Sequence, residues 1–201
     1  MIAKRTFDIV CSVLGLILFS PLFTLIAILI RFESSGPVFF RQVRVGLNGA
    51  HFRIHKFRTM RWSESNTGSQ ITVGLDSRIT TIGYHLRKYK LDELPQLIDV
   101  ALGKMSFVGP RPEVPKYVYH YSNEFRNKIF SIRPGITDWS SIHFRDESRL
   151  LACVSDPEEY YINEIIPIKT SYHIIYLEKM GLVTDIKIIL RTLFLIVSGR
   201  P

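Results

Sequence analysis

Two adjacent acids, Asp92 and Glu93, follow Arg87, Lys88 and Lys90 in the run LRKYKLDELPQL. A carboxylate can attack a phosphoryl group and form an acyl phosphate, provided that cations screen the repulsion between two anions. Neighbouring carboxylates can divide the work. One attacks, and the other holds a hard divalent cation such as Mg²⁺, which prefers oxygen ligands and bridges to substrate phosphates. The run also reads as a short helix, with Asp92 near its N-cap, Glu93 and Pro95 in its first turn and Gly103 as its stop. Acids at that position serve equally well as caps and as partners of the helix dipole, so both readings stay open here.

Further cations sit on stiff segments. In SFVGPRP, Pro110 and Pro112 fix the backbone on either side of Arg111, and a guanidinium presented rigidly suits bidentate phosphate contact. Arg133-Pro134-Gly135 repeats the pattern of a cation beside a stiff turn, and His55, Lys56 and Arg58 add positive charge. Taken singly, each also suits a solvated surface or a tight connection. No Walker motif, zinc signature or Rossmann glycine pattern is present. Together the signals describe a cation-lined pocket with two carboxylates beside a membrane element, fitted to phosphoryl chemistry on a lipid.

The elements that position these residues follow from the pattern. The 201 residues suit one compact domain with one extra element, and 26 basic against 18 acidic residues (formal charge +8) favour anionic partners. Two isolated cysteines, Cys11 and Cys153, supply no disulfide framework and no thiolate metal site. The expected fold class is α+β and mainly helical. Residues 38 to 60 predict a small β-hairpin around Gly46-Leu47-Asn48-Gly49, and the polar residues 61 to 78 predict a loop. Helices are expected within 113 to 129, within 156 to 179 with an interruption at Pro167, and over 182 to 197, the last either interfacial and amphipathic or packed on the core.

From Phe7 to Ile30 the chain is an apolar run with one charge, Asp8, long enough as a helix to reach about 36 Å. Arg31, Phe32 and Glu33 follow where a signal peptide would carry small cleavage-site residues, so the segment is expected to be retained. Lys4 and Arg5 precede it and Arg31, Arg41 and Arg44 follow, which places both ends on the cytoplasmic side. Ser20-Pro21 near the middle predicts a bend. A re-entrant helix, hinged at Ser20 and Pro21, satisfies both features; a kinked spanning helix is the alternative.

RTFDIV, Ser20-Pro21, GPVFFRQVRVG, HKFRTM, LDELPQL, MSFVGPRP and RPGIT occur in an order that resembles the bacterial sugar transferase family, the monotopic phosphoglycosyl transferases. The likeness runs from about residue 4 to residue 137, with a weaker echo in TDIKIIL. It implies a re-entrant membrane helix over residues 1–33 and a catalytic domain over 34–201 with interfacial helices, on the cytoplasmic face of the bacterial inner membrane. It implies Asp92 as the nucleophile that takes a sugar phosphate from a UDP-sugar, with release of UMP, and Glu93 as the ligand of Mg²⁺. Undecaprenyl phosphate would then accept the phosphosugar. This is the opening step of glycoconjugate assembly, ahead of downstream glycosyltransferases. Pro110, Arg111 and Pro112 match the nucleotide-binding loop, and Arg87, Arg133, Lys56 and Arg58 are further candidates for phosphate contact. The chain resembles the minimal catalytic unit of the family. It departs after RPGIT, where Asp138-Trp139 stands in place of the Gly-Trp or Gly-Leu of many relatives, a region expected to bear on substrate choice. A basic protein binding RNA or anionic lipid would leave the acid pair and Pro-Arg-Pro unexplained, so nucleic acid is not an expected partner. A polyprenyl-phosphate phosphatase is the rival enzyme.

Overall fold

The computed structural model describes residues 2–62, 71–74 and 76–198. The expected loop over 61 to 78 therefore lies partly outside the described residues, and its two ends meet in an antiparallel bridge between Met60 and Ile79.

Two helices open the chain, α1 (Ile2–Leu18) and α2 (Ser20–Glu33), bent by 60°. Pro21 has no N–H to give to the carbonyl of Ile17, four residues back, and the Ser20 hydroxyl donates to that oxygen at 2.8 Å instead. The break thus keeps the Ile17 carbonyl hydrogen-bonded. No single helix among the described residues is long and apolar enough to cross a membrane; the bent pair is, by length and composition. One face of α1 and α2 leaves Ile9, Val13, Leu14, Ile17, Leu25 and Ile28 exposed.

The opposite face is tied to the rest of the protein. Lys4 donates to Asp185 at 2.5 Å and to the Val108 carbonyl at 2.9 Å, and Arg5 donates to the carbonyls of Val100 and Ala101. Buried Asp8 accepts the backbone N–H of Phe107. Lys4 and Arg5, weighed in the sequence as signals of topology, are anchors. On α2, Ile26 and Ile30 bury against Phe57 and Leu86.

The hairpin is β1 (Phe39–Val45) and β2 (His51–Phe57), antiparallel, with Phe39 opposite Phe57 and Val45 opposite His51. Its turn uses left-handed Asn48 and Gly49, residue types that accept positive φ. Then come α3 (Thr81–Lys88), a single 3₁₀ turn over Leu91–Glu93, and α4 (Gln96–Ala101). Two short strands, β3 (Ser106–Val108) and β4 (Gly135–Thr137), pair in parallel. A side chain on Gly135 would overlap the Gly109 backbone, so that glycine sets how closely the loop after β3 approaches the start of β4.

Between these strands lie α5 (Pro115–Val118) and α6 (Asn123–Ile129), where the sequence suggested one helix; Ser122 caps α6 by accepting from Phe125 N–H and so starts it afresh. Next are α7 (Trp139–His143), α8 (Glu147–Leu151), α9 (Pro157–Tyr160), a π turn over Tyr161–Ile165, α10 (Ile166–Glu178) and α11 (Leu182–Ser198). Pro167 falls in the first turn of α10, where its missing N–H is tolerated, and the wider π turn just before it carries the chain through without a break. On α11, Asp185 and Ile188 are buried, and Val183, Ile186, Leu190, Phe194 and Val197 are exposed: one stripe faces protein and an apolar face is left open. The largest core joins Val114, Tyr117, Tyr121, Phe125, Leu151, Tyr161 and Ile165 beneath the loop that carries Arg111.

Candidate active site

Asp92 and Glu93 occupy the 3₁₀ turn between α3 and α4, and neither side chain caps a helix. Pro95, not Asp92, precedes α4, which has no side-chain cap. The capping account of the two acids therefore fails. Asp92 is buried, and its Oδ1 has no hydrogen-bond partner. Glu93 is engaged on both oxygens. Lys56, from β2, donates to Oε1 at 2.8 Å. Arg111 straddles the carboxylate, with Nη1 on Oε2 at 3.0 Å and Nη2 on Oε1.

Adjacent acids thereby meet opposite environments. Burial and the charge of Glu93 push the Asp92 carboxyl above the ordinary aspartate range, against the pull of Lys56, Lys90 and Arg87. Burial also pushes Glu93 up, but Arg111 and Lys56 outweigh it and hold that carboxyl well below its usual value. Burial lowers Lys56 to about 8 despite Glu93. Burial disfavours the Arg111 charge as well, but Glu93 more than compensates and raises its pKa. Carboxylates driven apart in this way can take separate roles.

The remaining expected residues divide. Pro110 and Pro112 use their carbonyls to hold the Arg111 loop: Pro110 O accepts Gly135 N–H at 3.0 Å and Pro112 O accepts Arg44 Nη1 at 3.0 Å. Arg87 lies beside the acids with Nε on the Thr59 hydroxyl at 2.8 Å. Arg58 does not face the acids: its guanidinium donates to the carbonyls of Ile30, Ser34 and Ser35 and closes the C-terminal end of α2. Arg133 donates to the Gly103 carbonyl at 2.8 Å, below β4. Ser20 and Pro21 form the bend.

Sequence reasoning missed the supports. Arg44, half-buried on β1, pairs with Glu113 at 3.5 Å; Glu113 accepts the Tyr161 hydroxyl at 2.6 Å, which in turn accepts from Lys169. This chain ties the Arg111 loop to β1 and α10. His55 binds Asp99 of α4 through both its backbone N–H and Nδ1, each at 2.8 Å, and so fixes Lys56 relative to the acids. Asp138, noted only as a departure from the family pattern, is buried with His173 at 2.7 Å and accepts from Ser140 and from Ser141 N–H. Glu113 could have been suspected from its place beside Pro-Arg-Pro; His173 carries no such signal.

A family model described as bacterial sugar transferase matches residues 1–199. The chain is 35% identical over 198 residues to a UDP-N-acetylgalactosamine-undecaprenyl-phosphate N-acetylgalactosaminephosphotransferase of Aeromonas hydrophila, covering 98% of this chain and 44% of the relative. It is 34% identical over 194 residues to the UDP-glucose:undecaprenyl-phosphate glucose-1-phosphate transferase of Escherichia coli, covering 95% and 39%. A protein of the same description from Caulobacter vibrioides is 36% identical over 192 residues, covering 94% and 67%. The chain belongs to the bacterial sugar transferase family. It spans less than half the length of the first two of these relatives.

Proposed function

We propose that the chain transfers a sugar 1-phosphate from a UDP-sugar to undecaprenyl phosphate, through a phosphosugar covalently held on Asp92. The observation that carries this reading is the free, buried Oδ1 of Asp92 beside a Glu93 already neutralised by Lys56 and Arg111. The names of the relatives supply the substrate classes.

In the first half-reaction an Asp92 oxygen attacks the phosphorus that bears the sugar. The bond from that phosphorus to the oxygen bridging the two phosphates breaks, and UMP leaves with the bridging oxygen. In the second, an oxygen of undecaprenyl phosphate attacks the same phosphorus and the Asp92 carboxylate departs, leaving a polyprenyl diphosphate sugar. Asp92 must be ionised to attack, and its raised pKa marks a basic carboxylate, the better nucleophile once ionised. Arg111 and Lys56 sit where charge on the phosphoryl oxygens is to be neutralised, held in place before substrate arrives.

The residues fit Mg²⁺. Asp92 Oδ1 lacks a partner, and Glu93 Oε2 accepts only Arg111 Nη1, so each has a lone pair to offer. No group of three His, Cys, Asp or Glu side chains gathers among the described residues, which suits a cation completed by substrate phosphate and water. When bound, it would neutralise phosphoryl charge.

Residues 1–33 serve as the re-entrant membrane element and 34–201 as the catalytic domain, on the cytoplasmic face of the inner membrane, where the reaction opens exopolysaccharide, capsule, O-antigen or glycoprotein assembly. The apolar exposed faces of α1, α2 and α11 support that placement. The test is UMP release by purified protein in detergent with Mg²⁺, undecaprenyl phosphate and a panel of UDP-sugars. One sugar should give UMP and a lipid-linked product. Release of inorganic phosphate from the lipid instead would indicate a phosphatase.

A further inference from the structure

Resting on the transferase reading, we infer that Lys90 is a further substrate-binding residue, which contacts the phosphate oxygens of the substrate brought to Asp92. Lys90 has φ 55° and ψ 20°, the left-handed conformation. Among the described residues only Asn48 is the other non-glycine with positive φ, and it lies in a hairpin turn that suits asparagine. Lysine has no such aptitude. Lys90 directly follows Tyr89, the C-cap of α3, at the position where helices commonly turn left-handed and glycine is the usual occupant, so lysine costs stability there and its retention in the link to the two acids is the observation to be explained.

The backbone of Lys90 is held from both directions. Its N–H donates to the Arg87 carbonyl at 3.1 Å, and its own carbonyl accepts from Glu93 N–H at 3.3 Å. The root of the side chain is thus fixed against the acid pair. The ammonium is exposed and, among the described residues, has neither a hydrogen bond nor an ion pair. The other cations nearby already have protein partners before substrate arrives, Lys56 and Arg111 on Glu93, Arg87 on Thr59 and Arg58 at the end of α2, so Lys90 would add a charge to those Lys56 and Arg111 supply. Lys90 nevertheless lowers the proton affinity of both Asp92 and Glu93, so its charge is felt at the site. A compact, exposed point charge beside an unpaired buried carboxylate oxygen is suited to drawing in an oxyanion.

The phosphate belongs either to the nucleoside diphosphate or to the polyprenyl phosphate, and binding separates them. Titrations of UDP and of micellar undecaprenyl phosphate should be run on the full chain in detergent, with Lys90→Met, Lys90→Arg and Lys90→Gly beside the wild type. Lys90→Met and Lys90→Gly should weaken one of the two ligands about tenfold, and Lys90→Arg should restore most of it. Because glycine accepts this backbone, Lys90→Gly should melt at or above the wild-type temperature while binding worse. A purely structural role predicts that melting and binding fall together, which overturns the inference. So does a Lys90→Met variant that binds both ligands like the wild type, or a wild type that binds neither. These readouts need no turnover, so a failure of sugar transfer is seen separately, as wild-type protein that releases no UMP.

Discussion

Arg111 grips Glu93 through both guanidinium nitrogens, and the acid beside it, Asp92, is left with a buried oxygen that nothing binds. A bidentate pair fixes orientation as well as charge, so Arg111 and Glu93 behave as one rigid unit. Arg111→Lys should keep the charge and lose the fork, lowering kcat/KM for UDP-sugar about a hundredfold. Steady-state kinetics on a detergent-purified variant checks this; unchanged kcat/KM would remove Arg111 from the site.

The pH profile should be bell-shaped. On the proposed mechanism Asp92, raised by burial and by Glu93, has to lose its proton before attack, so the acid limb should lie above the ordinary aspartate value of about 4. Lys56 is lowered to about 8 by burial, so it is charged below that pH and neutral above it. The alkaline limb should fall near pH 8. Lys56→Arg, which stays charged, should move that limb upward; a limb that stays put would assign it to another group.

We propose a structural role for Arg58. Its guanidinium donates to carbonyls at the end of α2, and Arg58→Ala would remove the donor from the Ser34 and Ser35 carbonyls at the joint between the helix pair and β2, while Ile30 keeps the Ser34 N–H. A loss of about 2 kcal/mol is expected, read by thermal melting in detergent, with the KM for UDP-sugar little changed. A large KM effect with normal melting would return Arg58 to phosphate binding.

Asp138 and His173 form a buried pair joining the segment after β4 to α10. Burial raises the Asp138 carboxyl, but the hydrogen bonds from His173 and Ser141 outweigh it and hold the pKa below the ordinary value. A depressed carboxylate contributes stability that is present above the unfolded value of about 4 and is lost as pH falls below it. Asp138→Asn should cost about 3 kcal/mol at neutral pH and flatten the acid side of the stability curve. Denaturant unfolding at pH 7 and pH 3 measures both.

The fold was legible where the pattern is long. The apolar run, the bend at Ser20-Pro21, the hairpin and the helix of 182 to 197 follow from composition and periodicity over many residues. The β3–β4 pair was not, because three-residue strands carry no usable alternation and their meeting depends on Gly109 and Gly135 approaching from distant parts of the chain. The site shows the same division. Asp92, Glu93 and Arg111 stand out by type and spacing, but which cation serves which acid is decided by the tertiary fold. Lys56 reaches Glu93, while Arg58, two residues on and a like candidate by sequence, turns toward α2.

The central claim is a covalent phosphosugar on Asp92. Intact mass and peptide mapping of the purified chain, incubated with Mg²⁺ and its UDP-sugar but without undecaprenyl phosphate, test it most directly. The account predicts one sugar phosphate per chain, located on the peptide carrying Asp92, lost on addition of undecaprenyl phosphate and absent from Asp92→Asn. Rapid sugar transfer with no adduct, or an adduct that persists in Asp92→Asn, would contradict it.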